Sequence, residues 1–266
     1  MINKISSLYK NNLSVQIRII KALFFREIIT RYGRRNIGIA WLFVEPLIFT
    51  LGVSLLWFFL RALSSDLISP TAFAVTGYST VLLWRNTSNR CVLAIEPNFA
   101  LMYHRNVKLI DVFLARIFLE ICGTTISFFI LTIFFIFLGA IQLPNDLLQV
   151  FFAWFLLAWF ALALAIFIGC ITHVSSVIEK LWHPTTYLLF PLSGALFLVE
   201  WLPAEARDYA LIVPMVHMVE FLREAFFGKD IINFYYDLGY FVTFTIILTL
   251  ASLFLLKYVS VRMETE

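Results

Sequence analysis

Residues 147–171 read LLQVFFAWFLLAWFALALAIFIGCI, a run without one ionisable side chain. A helix needs about 20 such residues to cross the roughly 30 Å of bilayer hydrocarbon, so this stretch is long enough to span. Working outward, five further segments of the 266-residue chain are similar in kind: 38–60, 70–89, 112–140, 181–199 and 237–257. The segment 70–89 is the most dilute, through Thr76, Ser79, Thr80, Trp84 and Arg85. Hydrophobic residues make up 61% of the chain and charged residues 14%, against roughly 45 to 50% and about 25% in a soluble domain. These proportions exclude a single water-soluble core. They predict an all-α integral membrane protein with six transmembrane helices.

Lys and Arg are retained on the cytoplasmic side because translocating them during insertion is unfavourable. Of the 20 basic residues, one set of connections carries Lys4, Lys10, Arg18, Lys21, Arg26, Arg31, Arg34, Arg35, Arg85, Arg90, Arg105, Lys108, Arg116, Lys180, Lys257 and Arg262. The other set carries only Arg61, Arg207, Arg223 and Lys229. Both termini are therefore expected in the cytoplasm, and the net charge of +3 reflects topology rather than a nucleic-acid partner. Residues 1–37 form a tail and a surface helix, 38–257 the membrane domain and 258–266 a second tail. The first segment lacks the short apolar run of a cleavable signal. Cys91, Cys122 and Cys170 have no spacing that suggests a metal site or a disulfide.

Between residues 14 and 32, Ile17, Ile20, Leu23, Phe24 and Ile28 recur at helical spacing while Arg18, Lys21 and Arg26 fall on another side. The pattern predicts an amphipathic helix on the cytoplasmic membrane surface, with Glu27 and Arg31 spaced to pair along it. Residues 1–13 read as a poorly ordered tail. The cytoplasmic connection 91–111 holds a short candidate helix at about 98–103. In the outer connection 200–236, Pro214 suits the first turn of a helix and Gly228 the position just past its end. Met215, Met218, Val219, Leu222, Ala225 and Phe226 form one arc of that helix; His217, Glu220, Arg223 and Glu224 form the other, lining an exit or facing water. At about 20 Å it is too short to span, so a re-entrant or interfacial helix is expected.

The chain has no G-x-x-x-x-G-K-[ST] loop, so any ATP that drives it binds another polypeptide. H-E-x-x-H and G-x-S-x-G motifs are also missing. Ionisable residues within spans are functional candidates. Glu45, before Pro46 and about 10 Å along the first span, either snorkels or lines a path. Glu120 is spaced to pair with Arg116 one turn earlier. Among 7 Trp, Trp41, Trp57, Trp154 and Trp159 are candidates for sugar stacking, against ordinary lipid anchoring.

Three segments together carry a resemblance. LFFREIITRYG at 23–33, followed by Gly38, Trp41 and Glu45-Pro46, resembles the amino-terminal signature of the ABC-2 permeases that export capsular polysaccharides in Gram-negative bacteria, the KpsM, BexB and CtrC type. Ala94-Ile95-Glu96 with Tyr103, Arg105, Val107-Lys108, Ile110-Asp111 and Ala115-Arg116 is similar to its second cytoplasmic signature, although Pro97 and Leu109 depart from it. Pro214, Val216-His217, Val219-Glu220 and Arg223-Glu224-Ala225 resemble its outer re-entrant segment.

The resemblance implies a homodimer in the bacterial inner membrane, joined to two copies of a separate subunit that binds ATP and Mg, with no cofactor in this chain. It implies a cargo of acidic polysaccharide on a phospholipid terminus, and periplasmic and outer-membrane export components as further partners. Arg26, Glu27, Glu96, Tyr103, Arg105 and Lys108 would couple to the ATPase. Arg31, Arg34, Arg35, Trp41, Glu45, Arg85 and Arg90 would form the substrate path and cytoplasmic mouth, and His217, Glu220, Arg223 and Glu224 the outer gate. Alternatives are an ABC-2 permease for another polymer, such as an O-antigen or teichoic-acid-like chain, and an integral membrane enzyme using His217 and Glu220 as acid and base.

Overall fold

The computed structural model of the chain describes residues 2–32, 38–60, 68–104, 107–229 and 232–265. Arg34, Arg35 and Arg105 lie outside the described residues. Ten helices follow in order: α1 (Ile2–Tyr32), α2 (Gly38–Leu60), α3 (Pro70–Cys91), α4 (Phe99–His104), α5 (Leu109–Phe137), α6 (Leu147–Val174), α7 (Ser176–Leu192), α8 (Ala204–Ala210), α9 (Pro214–Phe227) and α10 (Leu238–Thr265). No strand occurs among the described residues. Three helices are long and apolar enough to cross a membrane: Leu109–Phe137, Leu147–Val174 and Leu238–Met263; α2 adds the shorter apolar stretch Val44–Val53.

Local chemistry sets these boundaries. Ser69 caps α3 by accepting from the Ala72 amide, with Pro70 in the first turn, and Asp146 caps α6 by accepting from the Gln149 amide at 3.0 Å. Both side chains satisfy amides that a helix start leaves unpaired. α5 starts where the Asp111 carboxylate accepts from the Lys108 amide at 2.9 Å. The helix α1 begins at Ile2 and so takes in the segment expected to be a tail.

α3 and α6 pack along one another and form the centre. α5 and α2 flank α3, α10 flanks α6, and α1 lies along α5. Directions alternate. At one end Ser69, before α3, donates to the Ala140 carbonyl after α5 at 2.6 Å, and Asp146, before α6, bonds Ala225 in α9. At the opposite end Arg116 in α5 donates to the carbonyl of Arg90 in the last turn of α3 at 3.1 Å. Gly169 of α6 sits so near that end of the core that a Cβ there would meet Phe113 at 2.5 Å and Cys91 at 3.0 Å.

The segment expected to span at 181–199 folds differently. α7 starts at Ser176, contains Pro184 and Pro191, and stops at Leu192, about 26 Å of helix. Gly194 then turns the chain with φ +82°, a left-handed conformation that favours glycine. The apolar residues after it do not continue α7: Ala195, Leu198 and Val199 are buried, and Val199 opens a single 3-10 turn, Val199–Trp201. α9 fulfils the expected Pro214 and Gly228 boundaries. However, every residue from Met215 to Phe227 is buried, so its polar arc faces neither water nor an open exit.

Candidate functional site

At the end of the bundle that carries α4, charged residues from three helices meet. Glu27 of α1, 6% exposed, accepts from Arg26 at 3.2 Å and Arg116 of α5 at 3.4 Å, and pairs with Arg90 of α3 at 4.0 Å. Arg90 also pairs with the buried Glu120 of α5 at 3.2 Å. Arg26 bonds the Asn98 side chain, which in turn donates to the Ala94 carbonyl at 2.8 Å. Asn98 ends the 3-10 turn Glu96–Asn98 that leads into α4. One chain of contacts therefore joins the surface helix α1, the connecting turn, and the helices α3 and α5.

The physical reason is compensation. A carboxylate as buried as Glu27 needs cationic donors, and three guanidiniums converge on it. Glu120, expected to pair with Arg116 in its own helix, meets Arg90 instead, while Arg116 reaches Glu27. Spacing along one helix sees only intrahelical neighbours; α1 and α3 bring the partners used here. Arg31 belongs to α1 by its backbone. Glu96 is exposed at the turn, where it shares a small cavity of about 140 Å³ with His173 and Glu179. Tyr103 is 80% exposed and Lys108 is exposed.

Among the path candidates, Glu45 and Arg85 come together and Trp41 stands exposed. Arg85 donates to Glu45 at 3.5 Å and Tyr78 does so at 3.4 Å. The Arg85 guanidinium lies 6.0 Å from the Tyr78 ring and 5.9 Å from the Tyr187 ring, and Phe49 stacks on Tyr78 with centroids 3.7 Å apart. This polar cluster ties α2, α3 and α7 together. Tyr78 and Tyr187 were not singled out from sequence; an aromatic one or two turns from an ionisable residue in the same span was the available signal. Trp154 is buried, stacks on Phe128 at 4.3 Å and donates to Thr125 at 2.9 Å. It is a core residue and not a sugar platform.

The polar arc of α9 organises backbone. Arg223, fully buried, donates to the carbonyls of Gly194, Ala195 and Phe197 at 2.7 Å each, and its guanidinium lies 3.8 Å over Phe73. The carbonyls after a helix end carry partial negative charge, so the α7 terminus supplies a cradle for a cation. Burial still pulls Arg223 down to about 9. Glu220 accepts from the Val199 and Tyr235 amides at 3.3 and 3.4 Å; burial raises it to about 7 against the pull of Arg223 and those amides. His217 accepts at Nδ1 from the Asp237 amide at 2.9 Å and holds the Leu211 carbonyl through Nε2 at 2.8 Å, a pattern that requires a neutral ring, and burial lowers its pKa. Glu224 accepts from Gln149 at 3.1 Å and pairs with Lys229 at 3.4 Å. Among the described residues no cluster of three or more His, Cys, Asp or Glu has metal-binding geometry.

Residues 18–227 match the family profile described as ABC-2 type transporter. The chain is similar to the capsule polysaccharide export inner-membrane protein CtrC of Neisseria meningitidis, 43% identical over 255 residues and 96% of each chain. It is 39% identical to the capsule polysaccharide export inner-membrane protein BexB of Haemophilus influenzae over 258 residues, 97% of each chain. To the polysialic acid transport protein KpsM of Escherichia coli it is 27% identical over 249 residues, 92% of this chain and 93% of that one.

Proposed function

Because the chain belongs to the ABC-2 type transporter family, we propose that it is the permease subunit of an ABC exporter carrying capsular polysaccharide across the bacterial inner membrane. The observation that carries this is near-full-length identity of 43% to a capsule polysaccharide export protein. A separate subunit binds and hydrolyses ATP with Mg. Two copies of this chain and two of that subunit make the working unit, with both termini of the permease in the cytoplasm. Six helices cross: α2, α3, α5, α6, α7 and α10, with α7 completing its crossing through the turn at 193–199. The cargo is an acidic polymer on a phospholipid terminus, handed on to periplasmic and outer-membrane components.

In this reading the node around Glu27 is the coupling device. Arg26, Glu96, Tyr103, Arg105 and Lys108 meet the ATPase. A displacement of the Glu96–Asn98 turn passes through Asn98 to Arg26 and Glu27, and through Arg90 and Arg116 into α3 and α5, as rigid-body switching requires. Arg31, Arg34, Arg35, Arg85 and Arg90 receive the anionic end of the cargo, a task suited to guanidinium, with Trp41 and Glu45 further along the path. His217, Glu220, Arg223 and Glu224 hold the outer end closed: Arg223 and Glu220 tie α9 to the turn at 193–199, His217 ties it to Leu211 and the stretch before α10, and Glu224 ties it to the start of α6.

The enzymatic alternative finds no support in this geometry. His217 and Glu220 are both occupied by backbone groups, and neither presents an atom to a substrate. The test is the location of acidic polysaccharide in a strain lacking this gene, with the gene restored as control. Lipid-terminated polymer trapped inside, and returned to the surface on restoration, is the expected result; unchanged surface polymer overturns the capsule assignment.

A further inference from the structure

A groove of about 970 Å³ opens between the start of α5 with α4 on one side and the last turns of α10 on the other. Neither Glu27 nor any α9 residue lines it, although its wall includes Tyr103 and Lys108, two of the residues proposed above to meet the ATPase. One wall is Phe99, Tyr103 and Lys108; the other is Leu253, Lys257 and Val261. α10 packs mainly on α6 and only sparsely on α5, so protein leaves this wedge unfilled.

Its two ends differ in chemistry. Leu253 lies inside Leu238–Met263, a stretch apolar enough to cross a membrane. From there to Val261 is about 12 Å along the helix, with Lys257 midway, so the groove runs from the basic end of α10 to about one turn past Lys257 within that apolar stretch. Its inner end, at Leu253 and Leu256, suits an apolar group. At the outer end stand two exposed cations, Lys108 and Lys257, neither of which makes an ion pair among the described residues. An occupant must therefore be apolar at one end and anionic at the other. The volume is at the top of the roughly 300 to 1,000 Å³ range of ligand cavities, room for a lipid headgroup and the upper part of its chains.

We propose that this groove holds one anionic phospholipid of the surrounding leaflet. Its phosphate is met by Lys108 and Lys257, and an acyl chain lies along Leu253. The lipid fills the wedge between the connecting segment and α10. The inference rests on α10 as a membrane span and is independent of which polymer is carried.

The test is native mass spectrometry of the full-length protein in mild detergent, titrated with phosphatidylglycerol or with phosphatidylcholine. The first phosphatidylglycerol is expected to be held about tenfold more tightly than phosphatidylcholine, given the attraction of two basic residues for an anionic headgroup. Lys108→Gln with Lys257→Gln should remove that preference. Val261→Trp, which keeps both lysines and fills the groove, should remove tight binding of the first lipid. Lys180→Gln, an exposed lysine elsewhere, should leave it unchanged, and thermal unfolding confirms that each variant is folded. Equal retention of the two lipids by the wild type overturns the proposal, as does retention that survives both groove variants. Displacement of the lipid when the ATPase subunit binds would reassign the groove to a protein interface.

Discussion

Glu27 is the residue on which most charge converges. Glu27→Gln keeps the shape but leaves Arg26, Arg90 and Arg116 facing one another. The expected loss of stability is about 2 kcal/mol, nearer the value of a charged hydrogen bond than of a wholly buried pair, because the Arg26 and Arg90 side chains are each 35% exposed. Thermal unfolding of purified protein measures it, and an unchanged midpoint would remove the node as a structural element. His217 gives a pH prediction. Burial holds its pKa below the ordinary 6.5, so the stability that its two bonds lend is full above pH 6.5 and declines as pH falls toward the lowered folded value. The protection of the Asp237 amide, its exchange rate divided by the intrinsic rate at the same pH, should therefore fall on acidification below about 6.5 in the wild type. In His217→Gln that protection should be low at every pH; wild-type protection that does not change with pH counts against the neutral-ring assignment. From sequence these residues were legible as candidates, since charge in an apolar setting stands out. Their partners were not, because Glu27–Arg116 and His217–Asp237 are contacts between elements that no spacing rule encodes.

At the scale of elements, the unit that departs most from expectation is α7 with the turn that follows. Hydropathy alone carried the span to residue 199, since SGALFLV at 193–199 is apolar enough for lipid. The positive φ at Gly194 and the cation of Arg223 instead draw those residues into a cradle, and Ala195, Leu198 and Val199 bury against the core while Leu196 stays exposed. The cradle sits against α3 so closely that a Cβ on Gly77 would lie 2.4 Å from the Ala195 carbonyl oxygen and 2.8 Å from Arg223. The first of these is backbone and cannot rotate aside. Gly77→Val is expected to cost about 3 kcal/mol, toward the upper end for overpacking, visible as a thermal midpoint several degrees lower and loss of surface polymer. A variant that is fully stable would mean that the turn can withdraw from α3. The extent of α9, by contrast, was readable from Pro214 and Gly228. Only the fate of its polar arc was hidden, because a helical wheel shows which residues share a face and not what covers it.

For the whole molecule, the spans expected at 38–60, 70–89, 112–140 and 147–171 each correspond to a helix within a few residues, while the helix over 237–257 continues to Thr265 through most of the segment expected to be a tail. The sidedness proposed from charge asymmetry is open to direct test. With Cys91, Cys122 and Cys170 replaced by Ala, Tyr103→Cys should react with a membrane-impermeant maleimide only after the cells are opened, and Asp208→Cys in intact spheroplasts. Both positions are exposed, so the reverse pattern would invert the topology. The α9 cap also has a history written into the order of its residues. Gly194, Ala195 and Phe197, which hold Arg223, leave the ribosome before it, whereas Tyr235 and Asp237, which hold Glu220 and His217, leave after. Arg223 can therefore be captured as soon as it emerges. Glu220 and His217 can reach Val199 and Leu211 at once, but each gains its second partner only when the stretch just before α10 has been made, so the α9 cap is completed only as the last helix begins to insert.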